Sequence, residues 1–131
     1  MNRIFQLLTI ITCALFVGCE GNTDYTWQVT NNSSSDIQVW AESGFSLVED
    51  SVVISTNSTE MIGFFNQLGE NKTEQLPENA FNSLVVVNAA GDTMQSSYID
   101  PGSWISEIEQ IKRVPSQYEH VYTFVVNDGG F

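Results

Sequence analysis

The sequence predicts an all-β fold: a single antiparallel β-sandwich, immunoglobulin-like in outline, spanning residues 25–131. Three observations carry this. From residue 19 onward Val and Ile number 19, whereas Leu and Ala together number 8. β-Branched side chains suit a pleated surface, and a shortage of Leu and Ala disfavours helices. Short segments alternate apolar and polar residues between turn-forming clusters. About seven to nine such strands fit into the stretch, the density of a sandwich. A small closed barrel is the alternative. The Cys–Trp–Cys core of antibody domains is absent.

The elements follow in order. Tyr25 to Thr30 alternates, with Tyr25, Trp27 and Val29 on one face. Asn31 to Ser35 reads as a polar turn. Asp36 to Glu42 alternates again: Ile37, Val39 and Ala41 point one way and Trp40 the other. Ser46 to Ile54 holds one or two short strands around Glu49-Asp50. Asn57-Ser58-Thr59 turns the chain into a strand over Glu60–Asn66. Leu68 to Asn79, with Gly69 and Pro77, reads as a long loop. Phe81 to Asn88 contains the run Leu84-Val85-Val86-Val87, a candidate central strand buried on both faces. Ala90-Gly91-Asp92 turns into a further strand over Thr93–Ile99, which Asp100-Pro101-Gly102 closes. Ser103 to Arg113 is ambiguous. Trp104, Ile108 and Ile111 fit helical spacing, while Trp104, Ser106 and Ile108 fit a strand face. The strand is favoured, as one arm of a hairpin through Val114–Gln117 to Tyr118–Val126. In that last strand His120, Tyr122, Phe124 and Val126 share one face.

The first 18 residues differ in kind from the rest. Met1-Asn2-Arg3 is a short positive start, and Ile4 to Val17 is almost wholly apolar. Fourteen residues are too few to cross a bilayer as a helix, which needs about 20, but they have the size of a secretory h-region. Gly18-Cys19 after Leu15-Phe16-Val17 resembles a bacterial lipobox, with Phe16 where Leu is commoner. The expected organisation is a lipoprotein signal peptide over 1–18, a lipidated Cys19 with a polar tether over 19–24, and the β-domain over 25–131. Cys13 would leave with the signal peptide. No disulfide, Cys-ligated metal or thiol nucleophile would remain. A diacylglyceryl group on Cys19, with a third acyl chain such as palmitate on the amine, would hold the protein at a membrane. The outer membrane of a bacterial cell envelope is the expected location.

Cys19 with its short tether, the opening Tyr25-Thr26-Trp27-Gln28-Val29-Thr30-Asn31, Ser103-Trp104, and the closing Tyr122-Thr123-Phe124-Val125-Val126 with Phe131 form a pattern across the chain. On these residues it resembles the small uncharacterised lipoproteins of Bacteroidota. The resemblance implies an envelope location and β architecture, and it implies no activity. Within such lipoproteins, Asp50-Ser51-Val52 and Asp92-Thr93-Met94 match the tripeptide used for O-glycosylation, which makes Ser51 and Thr93 candidate sites.

The 131 residues include 4 basic and 16 acidic ones, a formal net charge of −12. That balance argues against nucleic acid, whose phosphates require clustered Lys and Arg. His120 is the sole histidine, expected as an exposed or core-edge imidazole, and the acids are dispersed. Neither a catalytic constellation nor a metal site is indicated, and no cofactor is expected. The aromatics are the better lead. Trp40 and Trp104 are candidate ligand-binding residues, because an exposed indole stacks on sugar rings or anchors protein partners. The expected function is therefore a non-catalytic, lipid-anchored domain for binding or surface assembly. Two alternatives are a glycan-binding accessory lipoprotein and an inhibitor of a basic enzyme acting through the acidic surface.

Overall fold

A computed structural model describes residues 20–43 and 50–131, and Cys19 lies outside them. Seven strands build two sheets. They are β1 (Asn22–Asn31), β2 (Ile37–Ser43), β3 (Ser51–Ile54), β4 (Ser58–Leu68), β5 (Phe81–Asn88), β6 (Trp104–Arg113) and β7 (Ser116–Val126). Sheet A has the order β4-β1-β7-β6 and sheet B the order β3-β2-β5. The two pack face to face as a sandwich and do not close into a barrel. The four-plus-three layout is that of a two-layer β-sandwich. All pairings are antiparallel except β1 with β7, which run parallel at the centre of sheet A. The opening and closing strands of the domain thus lie side by side.

The alternation read from the sequence sets the core. Tyr25, Trp27 and Val29 of β1 face inward with Tyr122, Phe124 and Val126 of β7. Ile37 and Val39 of β2, Ile54 of β3, and Phe81, Leu84 and Val86 of β5 meet them from sheet B. Trp27 sits at the centre. Its ring stacks on Tyr122 at 4.1 Å and meets Phe81 and Trp104 edge-on at 5.4 and 5.1 Å. Both geometries suit the aromatic quadrupole.

Several elements depart from the sequence expectation. The strand β1 starts at Asn22, inside the stretch read as tether, and runs through Asn31. Asn31 is no solvated turn residue: buried, its amide donates to the carbonyls of Ser35 and Ile54 and accepts from the backbone and hydroxyl of Ser33. All of its capacity is used, so it knots the β1–β2 turn to the end of β3. The strand β5 is an edge strand with Val85 exposed, so it is not buried on both faces. Thr93–Ile99 forms no strand. It keeps one bridge, Thr93 to Val87, and is otherwise irregular. The segment 103–113 resolves as strand β6 after a short 3-10 turn at Pro101–Ser103. Within the long 68–79 loop, α1 (Pro77–Ala80) makes one helical turn before β5.

Candidate functional site on the outer face of sheet B

Strand β2 is the middle strand of sheet B, so its outward side chains have neighbours on both sides. Ile37 and Val39 are 1% exposed, whereas Trp40 is 39% exposed. Period two forces this: a residue between inward positions must point out. Across the sheet Trp40 lies opposite Ser51 of β3 and Val85 of β5. One step along, Gln38 lies opposite Val53 and Val87. On the other side Glu42 lies opposite Ser83. The outcome is an open face with an indole at its centre, valines beside it, and an amide, a carboxylate and hydroxyls around it. Directly opposed side chains sit about 4.5–5.5 Å apart, close enough to act as one surface.

The other residues singled out in the sequence separate from this face or join it by register. Trp104 is 7% exposed, and its indole N–H donates to the Tyr98 carbonyl at 2.7 Å. It belongs to the core and presents no face to a ligand, because sheet B and the 94–98 segment cover it. Ser51 lies directly across from Trp40 at the start of β3. Thr93 is exposed beyond β5, next to the turn that Asn88 organises by accepting from the backbones of Ala90 and Asp92. Val53, Val85 and Val87 were not foreseen as parts of a site. Nothing in an apolar run says which of its members an edge position leaves uncovered.

His120 is fully buried and committed to structure. Its Nε2 lies 2.8 Å from the carbonyl oxygen of Asn71, which can only accept, so Nε2 carries the proton. Nδ1 then accepts from the Tyr122 hydroxyl at 3.0 Å. That hydroxyl in turn accepts from the Gln75 backbone N–H at 2.7 Å. Thr23 and Tyr25 bind the same loop: the Thr23 hydroxyl donates to the Gly69 carbonyl and accepts from the Asn71 N–H, and the Tyr25 hydroxyl accepts from the Asn71 amide. The 69–76 loop is thereby strapped over the inner face of sheet A, and neither imidazole nitrogen remains for chemistry.

A cavity of about 60 Å³ lies between β5 and the 93–98 segment, lined by Leu84, Val86, Met94, Tyr98 and Phe124 among others. Ligand pockets measure roughly 300–1,000 Å³, so the open face, not this cavity, is the candidate site. Among the described residues no three His, Cys, Asp or Glu side chains gather as a metal site, and no helix is long and apolar enough to cross a membrane. Comparison with protein-family models, with curated proteins and with solved structures finds no match.

Proposed function

We propose that the protein is a non-enzymatic, lipid-anchored bacterial envelope protein that binds saccharide on the outer face of sheet B. The observation that carries the reading is Trp40, a large aromatic ring held open at the centre of a rigid sheet. Trp40 keeps 39% of its surface in water, and that exposed part forgoes the free energy of burial, which suits recognition better than folding. Gln38, Glu42 and Ser51 surround the ring with donors and acceptors of the kind sugar hydroxyls need. The anchor rests on the lipobox-like Gly18-Cys19 and on the resemblance to Bacteroidota lipoproteins, with Cys19 as the acylated residue.

The test uses the full-length protein and its Trp40→Ala variant on a glycan array. Binding to one saccharide class, reduced at least about tenfold in the variant, is the expected result; a central aromatic contact is worth that much. Trp40→Ala should lower the thermal midpoint by only a few degrees, since the ring lies outside the core and loses only its cross-strand packing on the sheet face. An array on which neither protein binds, or both bind alike, overturns the saccharide reading. Cys19→Ser should abolish the incorporation of radiolabelled fatty acid into the protein, and undiminished labelling would sink the anchor.

A further inference from the structure

Sheet A ends at β6, and among the described residues no strand pairs with its far side. The strand is 10 residues long and only Trp104 is buried. Ile105, Ile108, Ile111 and the following Val114 are all exposed. A long edge with free N–H and C=O groups, and with exposed isoleucines on both of its faces, is a template for another strand.

The charges along this edge are sorted by sign. Glu107 and Glu109 occupy its middle, Lys112 and Arg113 its end. These are two of only four basic residues in the chain. Among the described residues neither has an ion-pair partner; the pair present is Lys72 with Glu70. Within the domain Glu109 faces Glu119 of β7, a like-charge pair that disfavours the isolated hairpin.

We propose that two copies of the chain associate by antiparallel pairing of their β6 edges, joining two four-stranded sheets into one. Antiparallel pairing sets the acidic stretch of each copy against the basic end of the other. Parallel pairing would set like charges together. The register is specific. Gln110 pairs with Tyr118 and Lys112 with Gln117, so Ile111 is the extra residue of a bulge. The bulge shifts the alternation by one and turns Glu109 and Lys112 to the same side of the sheet. A dyad at Gln110 then sets amide against amide, with each Glu109 opposite Lys112 of the second copy. This inference uses the edge of sheet A and is independent of the saccharide reading.

A cysteine at the dyad tests it in the full-length protein in bacterial membranes. Opposed Cα atoms in an antiparallel pair lie about 4.5–5.5 Å apart, within the range a disulfide spans. Gln110→Cys should therefore give a covalent dimer under mild oxidation, read on a non-reducing gel against wild type, which carries the same native cysteines. Leu68→Cys, exposed at the opposite edge of sheet A, should give none. In the Gln110→Cys background, Glu109→Lys or Lys112→Glu should lower cross-linking about fivefold, the scale of two exposed ion pairs lost. The double reversal should restore it, which a misfolded protein could not do. A bulge and a terminal lysine can also simply blunt an edge. In that case Gln110→Cys cross-links no more than Leu68→Cys, and the proposal falls. It falls equally if the single reversals leave cross-linking unchanged or the double reversal stays as low as either single.

Discussion

Tyr122 has two structural roles in one side chain. Its ring stacks on Trp27 in the core, and its hydroxyl joins His120 to the backbone of Gln75. Burial, aided by the nearby Glu74 carboxylate, pushes its phenol up to about 12, although the Gln75 N–H pulls the other way. In the unfolded chain a tyrosine titrates near 10. The folded state therefore holds this proton more tightly. The resulting stability is present below about pH 10 and is lost as pH rises toward 12. Tyr122→Phe should keep the stacking but strand the Gln75 N–H and His120 Nδ1, at a cost of about 1–3 kcal/mol near neutrality. It should also flatten the alkaline loss. Urea unfolding from pH 7 to 11.5 measures both effects, and equal alkaline slopes for wild type and variant would remove Tyr122 as the source.

At the level of elements, close approach matters as much as alternation. Gly21 leads into β1 where the chain passes the β6–β7 turn. A Cβ there would lie 2.2 Å from the Ser116 carbonyl oxygen, inside any real contact. Its own carbonyl accepts from the Gly69 N–H at 2.7 Å, which ties the end of β4 to the same spot. Gly21→Ala must push β1 away from β7, with an expected loss of about 1–3 kcal/mol in denaturant unfolding; a variant as stable as wild type would contradict the packing. Strands β1, β2 and β7 were legible in the sequence because each has one dry face, and period two follows from that. The ambiguity over 103–113 has a physical source in β6. The bulge at Ile111 inserts one residue, so Ile108 and Ile111 fall three apart and imitate a helical stripe. Edge status was not legible: Val85 belongs to an apolar run, and only the order of sheet B shows that its strand is an edge on which it stays exposed. The same asymmetry holds for the site. Trp40 could be placed outward by counting from Ile37 and Val39, whereas the burial of Trp104 depends on a sheet and a loop distant in sequence.

For the whole molecule the dominant long-range term is like-charge repulsion. Sixteen acids face four basic residues, and the pair Lys72–Glu70, at 3.6 Å, is exposed. Such a pair contributes little. Hydrophobic burial between the sheets must therefore hold the fold against an acidic surface whose charges are closer together than in the unfolded chain. Salt screens that repulsion: the Debye length falls from about 10 Å at 0.1 M to about 3 Å at 1 M. Among the described residues, Lys72–Glu70 is the ion pair that the salt would weaken in exchange. The thermal midpoint should consequently rise with sodium chloride over this range, and a gain near 1 kcal/mol would appear as about 4–8 °C for a domain of this size. Sodium chloride is the appropriate probe, because sulfate would also strengthen apolar burial and confound the reading. A midpoint that stays flat or falls would mean that the acids are spaced too widely to repel, and that the surface charge serves solubility and partner choice at no cost to the fold.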